Sequence, residues 1–203
     1  MSNLLFFYLI IIPSAIIHEY CHAWAADYLG DSTAKDEGRL TINPLAHLDP
    51  FGTFLMPLML FILSGGRFLF AYAKPVPFNP YNLQNQRYGQ ALVALAGPLS
   101  NLTLAFLFGL LIRFLPFANL VPMLEIIVYA NILLAVFNLI PIPPLDGSKI
   151  LFAILPSSMD NIKLFLEQYG FFILVFFIFS AFQLILPLIS LIFKLFAGYP
   201  IFF

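Results

Sequence analysis

Of the 203 residues, 62% are hydrophobic and 9% are charged, with a mean hydropathy of +0.96. A soluble domain carries roughly 25% charged residues, so the composition excludes one and indicates a membrane protein. The net charge of -1, with no basic cluster, gives no reason to expect nucleic acid, and the single cysteine, Cys21, excludes an intrachain disulfide.

Long apolar runs separated by short Pro, Gly and Asn-rich stretches predict an all-α polytopic bundle, one domain over residues 1–203, with its partners in the lipid bilayer. Leu4 to Ala26 is long enough to cross a hydrocarbon core of roughly 30 Å. It has no clean basic segment before it and holds His18, Glu19 and His22, so it reads as a retained span rather than a signal peptide. Tyr28 to Pro50 is polar and belongs at or outside the membrane surface, with Thr41 to Pro44 extended and ending in a turn. Phe51 to Leu63 falls short of the roughly 20 residues of a spanning helix and contains Pro57.

Ser64 to Gln90 passes through Lys74-Pro75-Val76-Pro77 and predicts an extended or re-entrant loop. Within it, Gly66 to Pro80 has an alternation over Phe68 to Tyr72 suited to an edge strand that pairs with an unwound substrate. Ala91 to Phe114 and Met123 to Ile140 are spans with helix breakers in or just after them, and Gly170 to Phe196 is the last. Five spans are expected, with four and six as alternatives. Lys and Arg are almost evenly shared between the two sides, so charge does not fix the orientation.

The chemistry is concentrated in His18-Glu19-Tyr20-Cys21-His22. Residues i and i+4 share a helix face, so His18 and His22 can offer imidazole nitrogens to one Zn²⁺ while Glu19 projects beside it as a general base. Each ionisable group in such a span costs on the order of 2–3 kcal/mol on insertion scales unless it is paired, ligated or wetted, which weighs against mere snorkelling at a helix end. Cys21 lies between the histidines and reads as a small packing residue.

A catalytic zinc needs a third protein ligand and an open fourth position. His47, Asp49, Asp146 and the glutamates are candidates, whereas a third histidine six residues after His22 is absent because that position is Tyr28. Asp146 is preferred: Asn138 to Gly147 ends a span in a proline-broken stretch, and irregular backbone at membrane depth survives only where it is buried in protein or lines a cavity. The competing reading makes Asp146 the N-cap of a helix from Ser148. His47 reads as structural or gating. Asn138 and Asn101 are amides able to hold a substrate carbonyl or oxyanion, or else to bond a broken-helix carbonyl.

His18-Glu19-x-x-His22, Ala96-Gly97-Pro98-x-x-Asn101 and Asn138-x-x-Pro141-x-Pro143-x-Leu145-Asp146-Gly147 together resemble the site-2 protease family. Asn43-Pro44-x-x-His47-x-Asp49-Pro50 and Lys74-Pro75-Val76-Pro77 are similar to its compact prokaryotic branch, which lacks PDZ and CBS domains. The resemblance implies one zinc on His18, His22 and Asp146, with Glu19 as general base. It also implies cleavage in or near a transmembrane segment of another membrane protein, in a prokaryotic cell membrane with the active site toward the cytosol. Asn138 is implied as a substrate-holding residue. Ser148 departs from the pattern, where many relatives have a second glycine. The alternative from a different class is a zinc-binding membrane transporter or scaffold without hydrolysis. Substrate, trigger and oligomeric state have no signature in the sequence.

Overall fold

The structure is a computed structural model that describes residues 2–47, 49, 55–63, 74–114 and 118–201. The regular structure among these residues is all helical, with no strand. The helices are α1 (Ser2–Tyr28), α2 (Thr33–Asp36), α3 (Pro44–His47), α4 (Met56–Leu63), α5 (Gln86–Phe114), α6 (Val121–Asn138), α7 (Asp146–Ile154), α8 (Asp160–Ser180) and α9 (Leu186–Ala197). Three of them, α5, α6 and α8 with its preceding turn, are long and apolar enough to cross a membrane. The 27 residues of α1 give it the length as well, whereas α9 belongs to a shorter apolar segment.

The 29-residue α5 is the central helix, packed against α1, α6, α7 and α9. Asn85 accepts from the N–H groups of Arg87 and Tyr88 at 3.1 and 3.0 Å and so caps its start. Contacts rise along α5 as they fall along α1: Leu29 O with Gln84 N, His22 with Val93, and Ser14 with Asn101. The two helices are therefore antiparallel. At one end of the bundle α5, α6 and α9 bury Ala105, Ile112, Val128, Ile132, Val136, Ile189, Phe193 and Ala197 together. Small residues such as Ala105 and Ala130 let the axes approach closely where no hydrophobic effect drives helices together.

The other end carries the polar loops. Arg87 donates from Nε to Ala153 O at 2.7 Å and from Nη2 to Leu155 O at 3.2 Å, satisfying the last carbonyls of the nine-residue α7. Asp31, fully buried, accepts from Asn79 N–H at 2.6 Å, from Asn82 Nδ2 at 2.9 Å and from Thr33, tying the loop after α1 to the one before α5.

Several sequence-based boundaries move. The span expected over Gly170 to Phe196 is interrupted at Ala181, and α8 begins at Asp160. The charged Asp160, Lys163 and Glu167 precede the apolar run but do not stop a helix, and Pro187 fits the first turn of α9, where its missing N–H is harmless. Thr41 is a bend, Ile42 and Asn43 are irregular, and α3 starts at Pro44. Lys74 to Asn79 is irregular as expected, and Phe68 to Tyr72, the edge-strand expectation, lies outside the described residues.

Burial pushes the acid form of Asp31 up, but the hydrogen bonds from Thr33, Asn82 and Asn79 outweigh it, and the carboxyl titrates below its ordinary value. A depressed folded-state pKa contributes stability that is complete above the unfolded value of about 4 and is lost as pH falls through the folded value. Asp31→Asn is therefore expected to destabilise the protein by about 1–3 kcal/mol at neutral pH. Thermal unfolding in detergent across a pH series should show the difference from wild type shrinking in acid.

Candidate metal centre and active site

His18 and His22 lie one turn apart on α1, and Asp146 opens α7 after the irregular stretch Leu139 to Leu145. Their ligand atoms converge: His18 Nε2 to His22 Nε2 is 3.0 Å, His18 Nε2 to Asp146 Oδ2 3.2 Å, and His22 Nε2 to Asp146 Oδ2 3.1 Å. They form a group able to hold a metal ion. Asp146 is not an N-cap. Leu145 occupies that position, α7 begins at Asp146 itself, and the carboxylate turns toward the histidines.

The outer nitrogens of both rings are engaged. His22 Nδ1 donates to Val93 O at 2.7 Å, and His18 Nδ1 donates to Asn101 Oδ1 at 2.7 Å. A neutral imidazole with its proton on Nδ1 presents a lone pair at Nε2. Three lone-pair atoms thus face one another within about 3 Å and cannot satisfy each other by hydrogen bonding, an arrangement that a cation relieves. Tetrahedral zinc with bonds of about 2.0–2.1 Å sets its ligand atoms about 3.3 Å apart, so the donor set fits Zn²⁺ in both chemistry and spacing.

Two glycines make the convergence possible. A Cβ on Gly97 would stand 2.5 Å from His22 Nε2 and 2.6 Å from His18 Nε2, so α5 can pass the histidines only without a side chain there. Pro98, next to it, lacks the N–H that would bond Ala94 O and loosens this turn of α5, from which Val93 O accepts from His22. A Cβ on Gly147 would meet Ile140 O at 2.6 Å and Leu139 still more closely, so the chain can fold back behind Asp146 only with glycine after it. At the departing position, the Ser148 hydroxyl is buried and donates to Leu145 O at 2.7 Å, securing the first turn of α7.

A cavity of about 150 Å³ lies over the three ligand atoms, lined by Glu19, Val76, Phe78, Asn138, Pro144 and Lys149 among others. Glu19 Oε2 accepts from Val76 N–H at 3.0 Å. Lys74 to Asn79 crosses the site as a strap. Lys74 N–H donates to His47 O at 2.9 Å, Arg39 donates to Lys74 O at 2.8 Å, and Asp31 holds Asn79.

His47 itself is buried, donates from Nε2 to Thr41 O at 2.7 Å, and is outside the convergent group. Asn138 lines the cavity, its Nδ2 donating to Leu134 O at 2.9 Å. The expectation that Asn101 faces substrate is corrected: it is fully buried, does not line the cavity, and is spent on His18, Ser14 O and Asn131.

Lys149 was not singled out in the sequence. Its Nζ is 3.9 Å from Asp146 Oδ1 and 5.0 Å above the Phe78 ring, so it holds the carboxylate oxygen that faces away from the histidines. Its place three residues after Asp146 in an α-helix is the signal that could have found it.

Gly97→Ala is expected to abolish tight zinc binding, because its methyl group occupies the space between the two Nε2 atoms. Zinc content per chain after purification in detergent checks this, with helical circular dichroism retained.

The sequence profile of Peptidase family M50 matches residues 114–181, the part that holds Asn138 and Asp146. The chain is 40% identical over 179 residues to YwhC of Bacillus subtilis, a protein named as a candidate zinc metalloprotease, with 82% of this chain and 77% of YwhC covered. It is 31% identical over 170 residues to Rip2 of Mycolicibacterium smegmatis, named in the same way, covering 81% of this chain and 62% of Rip2. No solved structure matches. With the similarity to YwhC running through most of both proteins, the chain belongs to peptidase family M50, the site-2 protease family of zinc metalloproteases, and is a membrane protein.

Proposed function

We propose that this chain is an intramembrane zinc endopeptidase that cleaves peptide bonds in or next to transmembrane segments of other membrane proteins. The observation that carries the reading is the convergence of His18, His22 and Asp146 inside apolar helices, with Glu19 on the same turn and the cavity beside it. At 1.5 Å per residue His18 lies roughly 24 Å from the start of α1 and roughly 15 Å from its end, a depth that fits a site below the membrane surface. The polar loops gather at the Tyr28 end, which supports water access from that side. By the family resemblance that side is the cytosol of a prokaryotic cell.

In this reading His18, His22 and Asp146 hold one zinc ion per chain. Zinc there supplies Lewis acidity, which polarises a carbonyl and acidifies water. Glu19 takes the proton from the attacking water and returns it to the leaving amine. The Val76 N–H keeps the Glu19 carboxylate turned into the cavity, and Asn138 offers its carbamoyl oxygen to a substrate N–H. Substrate carbonyls are tied up in helical bonds until the segment unwinds, so an unwound peptide is the form that fits the strapped cavity.

Zinc transport without hydrolysis uses the same ligands, and Glu19 separates the two readings. Glu19→Gln is expected to keep zinc while lowering cleavage by about 10²- to 10⁴-fold, as removal of a general base does. Proteomics of membrane peptides in cells carrying Glu19→Gln against wild type should show uncut transmembrane fragments accumulating. Unchanged fragment patterns would exclude a protease. Asp146→Ala is expected to lose both zinc and cleavage.

A further inference from the structure

We propose that Asn131 of α6 is a positioning residue for the metal centre, acting through Asn101 to fix which nitrogen of His18 carries the proton. The proposal rests on the reading of His18 as a zinc ligand. The chain of bonds is buried from end to end, with Asn131 at 1% and Asn101 at 0% exposure. Asn131 Nδ2 donates to Ile127 O at 2.9 Å, Asn101 Nδ2 donates to Asn131 Oδ1 at 3.0 Å and to Ser14 O at 3.2 Å, and His18 Nδ1 donates to Asn101 Oδ1 at 2.7 Å.

The direction of every bond follows from the two ends. Ile127 O and Ser14 O are main-chain carbonyls and can only accept. The amide nitrogen of Asn131 must therefore face Ile127 O, which turns its oxygen toward Asn101. The amide nitrogen of Asn101 must face Ser14 O and that oxygen, which turns its own oxygen toward His18. Flipping Asn101 would set its oxygen against two others.

The flipped amide would also present N–H groups to His18 Nδ1, favouring the tautomer with its proton on Nε2, at the ligand position. Ser14 O alone holds Asn101 through the longer of its two bonds. Asn131 supplies the shorter one, and so the third helix of the core sets the lone pair on the first.

The test is a double-mutant cycle on the full chain in detergent, stripped of metal and titrated with Zn²⁺ against a chromophoric chelator. Asn131→Leu is expected to weaken zinc binding about tenfold, in the range for outer partners of metal-bound histidines. In an Asn101→Ala background it should weaken it no further. Asn131→Asp in its neutral acid form donates from its hydroxyl to Ile127 O and keeps an acceptor toward Asn101, so it should stay close to wild type, and the Co²⁺ absorption bands should shift in the Leu variant but not in the Asp variant.

Asn131→Ala carries the same expectation as Asn131→Leu and stands in for it if that variant does not fold. Wild-type affinity in both the Leu and Ala variants, or an equal loss with and without Asn101, would overturn the proposal. Failure of the zinc-site reading looks different: Asp146→Ala would bind zinc as wild type does.

Discussion

Everything at this centre depends on where the two Nδ1 protons go. An imidazole carried into an apolar helix bundle must find an acceptor for its N–H, and α5 supplies both, Val93 O for His22 and Asn101 Oδ1 for His18. With those protons committed outward, the inward nitrogens have only lone pairs to offer. Asp146 then adds a carboxylate oxygen to the same point. The ligand set is thus a consequence of how α5 is placed against α1, and motif spacing alone would leave both tautomers open.

That placement explains the sequence of α5 around residue 97. A helix that must accept protons from both rings has to pass very close to them, and the space between the ring nitrogens is where a Cβ at position 97 would fall. Glycine and proline in succession weaken a helix in water, by about 1 and 3 kcal/mol relative to alanine. Here they sit mid-helix in a 29-residue element anchored by Asn85 at one end and by packing on α6 and α9 at the other. Long-range packing offsets the local weakness, as it does for Pro13 in α1.

The sequence makes some of this legible and hides the rest for identifiable reasons. The pair His18 and His22 follows from helical periodicity, and Asp146 from a carboxylate stranded at a proline-broken span end; both are local signals. Lys149, Gly97 as a spacer and the Asn131 to Asn101 contact depend on which faces meet across helices, and one chain does not state that. Helix ends are less legible, because an apolar run marks where a span is greasy and not where helical hydrogen bonding starts or stops. Asp160, Lys163 and Glu167 interrupt the apolar run without interrupting helical hydrogen bonding in α8, whereas Pro187 belongs to the start of a new helix.

The strap from Lys74 to Asn79 links the centre to the polar end of the molecule. It is fixed at His47 O, at the Arg39 guanidinium and at Asp31, three points on the loops that follow α1, and between them its Val76 N–H reaches Glu19. A carboxylate beside the cavity needs a donor to stay aimed, and the main-chain N–H of Val76 provides one. The loops at the surface therefore reach Glu19 through backbone position. Asp31 and Arg39 are thus joined through the strap and its Val76 N–H to Glu19, the proposed general base, whereas His18 and His22 are fixed by Asn101 and Val93 of α5.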